Sequence, residues 1–340
     1  MTLVVGITQQ SQQKAEDYAK QAKEESDLLV TNIFYSGDPL TVTYTDGRDP
    51  EDLTGFFWPK NENGNWARSV NDYTKSRELY EWGYGFNEGG PFQFMFYMQY
   101  DVPTLAKMFG TANGIEDSKL ALESQLDKFF TSKSDGLGGR YGTIHEADEQ
   151  QHIGLGQFGI NNQPSFGYAY EYNYTDSPWK AQCILRNAMD PNRVDTYYDY
   201  DCFGEGKSAG VSTKRGQEIY SLFGTGPQGW LGDEDTGSVS AWYASSAIGL
   251  HPVPGTDKID FGSPIFNKVK ISIPAYDEQP AKELTIDAKD NSQQNIYVNA
   301  ISLNGEQLDL AENNYTINQS QLYKDSNTAT LVFSMSKDHS

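Results

Sequence analysis

The sequence predicts an α+β protein, with a helical region of antiparallel helix pairs over residues 1–254 and a small antiparallel β-sandwich over 255–340. Two observations predict it. Up to about Pro254 apolar residues return every three or four positions, and beyond it they alternate between turn residues. The 340 residues, 37% hydrophobic and 13% aromatic, suffice for two such cores.

Residues 12–35 are rich in helix formers and lack Pro and Gly, which predicts a helix. "GFFWPKNENGNW", Gly55 to Trp66, carries a Pro and an Asn-Gly pair and reads as a loop or hairpin presenting aromatics. From Pro91 to Gly110 aromatic residues and Met fall on every face, so a helix buried on most sides is expected, with Pro91 in its first turn. Ile115, Leu122, Leu126 and Phe129 share one face of a further helix over 115–132. "SFGYAYEYNY" (165–174) and "SPWKAQCILRNAMD" (177–190) predict two shorter helices, the second opened by Ser177 and Pro178. Residues 190–214 look like an inserted loop. After Asp235, residues Val239, Trp242, Tyr243, Ala247 and Leu250 recur at helical spacing. "KVKISIP", "KELTIDAK", "NIYVNAISLNG" and "TATLVFSM" then alternate as strands.

The net charge of −21, from 26 basic against 47 acidic residues, argues against a nucleic-acid partner, because phosphate binding needs clustered Lys and Arg. No apolar run reaches the length of roughly 18 residues that spans a membrane, and Met1 to Gly6 is too short for a signal peptide. Cys183 and Cys202 exclude a cysteine zinc site and leave one disulfide between them open. Sequons at Asn173, Asn314 and Asn318 hint at a secreted protein. The 22 Tyr and 6 Trp fit equally a sugar-binding cleft or a core.

Two motifs mislead. "GLGQFG" (154–159) fits a dinucleotide fingerprint, but no apolar strand precedes it. "GKSAG" (206–210) fits a nucleophile elbow around Ser208 without the buried strand that such an elbow needs. Four scattered histidines make a His-based zinc site improbable on spacing alone. The carboxylates carry more. Asp235, in "GDEDTG" just before a helix, reads either as a capping acid or as a general base favoured by the helix N-terminus. Glu88, in "GYGFNEGGPF", lies among aromatics and glycines, surroundings that suit a general acid. An acid facing an acidic pair is the constellation for hydrolysing a glycosidic bond.

"GDEDTGSVSAWYASSAIGLHPV" resembles the late motif of glycoside hydrolase family 92, the calcium-dependent exo-α-mannosidases. "NEGGPFQFMFYMQYDVPTLAKMFG", "GFFWPKNENGNW", "YNYTDSPWKAQCILR" and "GSPIFNKVKISIP" resemble further segments of that family, so the likeness runs through nearly the whole chain. The resemblance implies an (α/α) six-hairpin helical barrel, incomplete here, followed by a β-sandwich. It implies Glu88 as general acid, with Asp233 and Asp235 activating water and Asp235 as the base. Inversion then requires acid and base about 6.5–9.5 Å apart. It also implies calcium against the sugar hydroxyls, Asn162 and Gln163 as ligands and sugar contacts, Phe86 and Trp66 as aromatic sugar contacts, a mannose-containing glycan as partner and a secreted location.

This sequence departs from the family at "INNQPSFG", where Gln163 replaces a Glu and Ile160, Phe166 and Gly167 replace histidines. A neutral Gln keeps a carbonyl oxygen but loses a charge, which weakens the metal site. Family members are also longer, and this chain starts mid-barrel: a fragment, a truncated product and a half-length relative are all open. A non-catalytic carbohydrate-binding relative is the alternative that the altered stretch suggests.

Overall fold

The computed structural model describes residues 9–42, 51–66, 86–132, 146, 149–150, 153–189, 202–203, 235–324 and 326–339. Helix α1, Gln9–Leu28, follows from its Ala, Lys, Glu and Gln content. Its surface carries the i,i+4 pairs Lys20–Glu24 (3.7 Å) and Lys23–Asp27 (3.1 Å), each worth about 0.3–0.5 kcal/mol. A π-helical turn, Leu29–Ile33, leads into strand β1, Phe34–Tyr35. Strands β2 (Leu40–Val42) and β3 (Glu51–Leu53) pair with each other, and β4 (Phe56–Phe57) pairs antiparallel with β1. Beyond β4 the expected hairpin closes through a Lys60–Trp66 bridge.

The helix expected from Pro91 starts later. Residues 91–96 form turns, Gln99–Asp101 a 3-10 turn, and α2 runs Val102–Asn113. A proline in a helix interior breaks it, whereas Pro103 at the first turn of α2 costs nothing, and Asp101 caps by accepting from the Thr104 N–H at 3.3 Å. Aromatic composition looks the same in buried turns as in a buried helix, which is why the start was misread. α2 stops at Gly114, whose left-handed backbone (φ 67°) returns its N–H to the Gly110 carbonyl. Helix α3, Ser118–Thr131, is capped by Asp117 and buries Leu122, Leu126 and Phe129 as its spacing predicts, while Ile115 sits in the preceding turn.

The glycines of "GLGQFG" serve a close approach. Gly156 (φ 64°) lies against the end of α3 so tightly that a Cβ would fall 2.3 Å from the Phe130 carbonyl oxygen, and the next N–H, on Gln157, donates to Phe129 O. Two 3-10 segments follow, Gln163–Ser165 and Tyr168–Tyr174, in place of the α-helix read over 165–174. Every residue of the second is buried, and tyrosines at alternate positions have no single 3.6-residue face on which to pack. Helix α4, Trp179–Met189, is likewise buried. Its Lys180 is neutralised by Glu123 (2.7 Å) and Asp127 (2.8 Å), and its Cys183 forms a disulfide with Cys202, the pairing that spacing had left open. The rest of 190–214 and Ser208 fall outside the described residues.

Helix α5, Ser238–Ala247, precedes the strands. β5 (Leu250–Pro252), β6 (Lys258–Phe261) and β11 (Thr316–Asn318) form one three-stranded sheet. β7 (Lys268–Ile273), β8 (Lys282–Lys289), β9 (Tyr297–Leu303), β10 (Glu306–Gln307) and β12 (Thr328–Ser336) form the other, in the order β10-β9-β12-β8-β7. The sheets share one core, with Phe261 edge-on to Phe333 at 5.8 Å. The strands are where alternation put them, but the pairing is not wholly antiparallel: β12 runs parallel to β8. Alternation fixes which face of a strand is buried and says nothing of its neighbour's direction.

Helical and sheet cores meet through polar groups. Tyr170 stacks on His251 at 4.4 Å, Asn173 donates to Phe261 O at 2.9 Å, and Arg186 Nε donates to Ser263 Oγ at 2.8 Å. Tyr174 donates to Asp260 at 3.3 Å. Burial pushes the Asp260 carboxyl up to about 8 and the His251 imidazole down to about 4, and raises Glu171 well above its usual range.

Two predictions follow from this junction. Asp260 holds a proton in the fold that it loses in the unfolded chain above pH 3.8, so stability declines as pH rises from about 4 to 8. Glu171, also raised by burial, adds to the decline, and neutral His251 acts oppositely only below pH 6.5, so the decline is unopposed by His251 between pH 6.5 and 8. Thermal melts across that window should record it, and Asp260→Asn should reduce it. Removing the Cys183–Cys202 cross-link, which spans a sequence separation of 19, should cost about 3 kcal/mol and lower the melting temperature by several degrees in calorimetry of the double serine variant.

Candidate active site

Four segments build the site, and three are non-helical. Glu88 lies in a bend with left-handed backbone (φ 58°), a conformation that a non-glycine residue adopts only when its surroundings hold it. The adjacent Gly89 lets the Phe94 ring lie close: a Cβ there would sit 3.0 Å from that ring. Asp235 (φ 45°) and Thr236 (φ 61°) are also left-handed, and Gly237 (φ 92°) starts α5. The N-cap of α5 is therefore Gly237, with no side-chain cap, and Asp235 does not perform the capping role. Its carboxylate points elsewhere.

Its partner is Gln163. Gln163 Nε2 donates to Asp235 Oδ2 at 2.6 Å and to Ser238 Oγ at 3.0 Å. The preceding residue turns the other way, with Asn162 Nδ2 donating to the backbone carbonyl of Glu88 at 2.7 Å. Asn162 is extended (φ −136°, ψ 132°), and side chains of successive residues in extended backbone project to opposite sides. One dipeptide thus joins both candidate catalytic acids. The loop that carries it is fixed from two directions: Gln99, for whose side chain Gly167 leaves room, donates to Pro164 O at 3.0 Å, and Trp242 Nε1 donates to Phe166 O at 2.9 Å.

A small cleft of about 20 Å³, open on one side, lies beside this dipeptide, with Glu88, Phe94, Glu146, Asn161, Asn162 and Ser165 in its walls. Glu88 is half-buried and receives Asn87 Nδ2 on Oε1 at 3.4 Å. Asn161 Nδ2 donates to Glu149 at 2.8 Å. The Oδ1 atoms of Asn161 and Asn162 are buried and accept no hydrogen bond from the protein. The floor is an amide ladder: Gln93 and Gln150 both donate to Gln157 Oε1, at 3.5 and 3.0 Å, and Gln93 Oε1 accepts from the Gly90 N–H.

The structure brings Glu88 and Asn162 into one cleft and connects Gln163 and Asp235 to it. Asp233 falls outside the described residues. Phe86 faces a neighbouring apolar cavity, 5.4 Å from Phe94. Trp66 packs edge-on to Tyr35 at 5.9 Å, with Lys60 Nζ over its ring at 4.5 Å, and is not a wall of the cleft. Calcium takes six to eight oxygens. Among the described residues no three His, Cys, Asp or Glu side chains converge, and Gln163 Nε2 is engaged with Asp235, so the two expected ligands, Asn162 and Gln163, offer a cation only neutral amide oxygens. Glu146, Asn161 and the glutamine ladder were missed by sequence reasoning, and only Asn161, beside Asn162, carried a signal.

These features have known counterparts. The chain resembles, at 28% identity and a TM-score of 0.57, the structure of a family GH92 inverting mannosidase from Bacteroides thetaiotaomicron, covering 84% of this chain and 31% of that one. A GH92 α-mannosidase of the same organism in complex with mannoimidazole shares the fold (22% identity, TM-score 0.56, 84% of this chain and 30% of that one). So does the GH92 glycosyl hydrolase ccman5 (18% identity, TM-score 0.60, 97% and 37%). The chain spans about a third of the length of these structures. No curated protein matches it. The sequence profile of the glycosyl hydrolase family 92 catalytic domain matches residues 5–192 and 191–337, and the chain belongs to that family.

Proposed function

We propose that this chain forms the acid–base site of an exo-acting α-mannosidase that hydrolyses mannose-containing glycans with inversion. The observation that carries this reading is the Asn162–Gln163 dipeptide, which bonds the backbone of Glu88 on one side and the carboxylate of Asp235 on the other. Glu88 protonates the departing glycosidic oxygen. Asp235, with Asp233, takes a proton from the water that attacks the anomeric carbon from the opposite face. Asn161 and Asn162 present their free amide oxygens to sugar hydroxyls. On the same reading the helices belong to an incomplete (α/α) six-hairpin barrel and the two sheets to the family's closing β-sandwich. The buried Cys183–Cys202 disulfide supports a secreted protein, since such bonds persist in oxidising compartments. The mechanism routes no step through calcium.

The alternative, a carbohydrate-binding relative without turnover, is favoured by one observation: Gln163 already occupies an oxygen of the candidate base. Release of mannose from α-mannobiosides separates the two. On the leading reading Glu88→Gln and Asp235→Asn each lower kcat by about 10²–10⁴. Mannose binding in calorimetry with no release above that of the double variant would establish the alternative. Gln163→Ala removes a hydrogen bond to a charged group, worth about 1.5–3 kcal/mol, and should lower kcat roughly 10- to 100-fold, with kinetics on the purified variant as the check.

A further inference from the structure

The apolar cavity next to the Glu88 cleft has no role in the reading above. It encloses about 300 Å³ between the π-helical turn and the segment following Glu88, with Leu29, Ile33, Phe57, Phe86, Phe94 and Met98 in its walls. Asn87 and Tyr97 contribute its polar groups, and Tyr97 is 54% exposed at the rim. The volume is at the small end of the range for ligand pockets. Phe94 is a wall of both cavities, and Asn87 and Phe86 immediately precede Glu88. Glu88 lines the polar cleft, and the two residues before it line the apolar one. A general acid occupies that position: it protonates the oxygen joining the sugar to its leaving group, so the two groups lie on its two sides.

We propose that the apolar cavity is a leaving-group subsite for an aryl or alkyl aglycone, so that the site takes mannosides of apolar alcohols. A second sugar would need partners for several hydroxyls, and among the described residues the cavity's walls offer one amide and one phenol. A ring instead meets Phe86, Phe94 and Tyr97, whose centroids are successively 5.4 and 5.6 Å apart. The inference rests on the glycosidase reading of Glu88 for the sugar's position but not for the cavity's chemistry.

The test measures, by calorimetry on the full chain, the affinities of methyl α-mannoside, 2-naphthyl α-mannoside and free 2-naphthol. Burying about 60 Å² of ring corresponds to roughly tenfold in affinity. The naphthyl mannoside should therefore bind at least tenfold tighter than the methyl mannoside. Leu29→Trp, which fills the cavity away from Glu88, should erase that gain and leave the methyl mannoside unchanged. Tyr97→Ala, at an exposed position, should reduce the gain without disturbing the fold. Equal affinities in the unaltered protein, or a gain that survives Leu29→Trp, overturn the subsite while leaving the glycosidase reading intact. Binding of 2-naphthol that Leu29→Trp abolishes, with no mannoside bound, supports the apolar site and overturns the glycosidase reading. Failure of all three ligands overturns both.

Discussion

The site depends on a pair of adjacent amides. Asn162 and Gln163 each donate from nitrogen, one to a main-chain carbonyl and one to a carboxylate, and between them they tie the bend at Glu88 to the turn before α5. Both of those turns hold non-glycine residues in left-handed conformations, each of which costs on the order of 1–3 kcal/mol. Hydrogen bonds from rigid neighbours offset that cost, and the Gln163 bond to Asp235, charge-assisted and short at 2.6 Å, is of the stronger kind.

What makes the dipeptide rigid lies further along the chain. The loop runs directly into the buried 3-10 segment Tyr168–Tyr174, whose tyrosines and Asn173 reach the three-stranded sheet through His251, Phe261 and Asp260. The sheet is thus a brace for the loop of the candidate site as well as a second core. Arg186 adds to the brace from α4, with bonds to Ser263 and to Asn291 and Ser292 near the other sheet. Asn173 is consumed in this junction, buried and bonded to Phe261, so its sequon is not an accessible acceptor in the folded chain.

Much of the fold was legible where one local rule decides. α3 combines an Asp cap with apolar residues at helical spacing, and both signals agree with its packing. The long strands of the five-stranded sheet declare themselves by alternation. The start of α2 was legible too, in Asp101 and Pro103, but the aromatic composition of the preceding turns outweighed it. The parallel pairing of β12 with β8 was not legible, because a strand's burial pattern is the same whichever way its neighbour runs. For the site, local physics offered Asp235 two roles and the structure removes one, since Gly237 starts the helix. Glu88 was offered as an acid by its aromatic and glycine neighbours as well as by resemblance, while Glu146 and the glutamines reach the cleft through contacts distant in sequence that no local pattern encodes.

The replacement of a family glutamate by Gln163 then has a specific electrostatic meaning. A carboxylate at this position would stand within hydrogen-bond distance of Asp235 Oδ2, two like charges that require a cation or a proton between them. The amide removes that requirement, because its nitrogen donates where a carboxylate could only accept. That nitrogen is the atom that holds Asp235 in place. The loss of a charge at residue 163 and the direct amide bridge to Asp235 are therefore two aspects of one change.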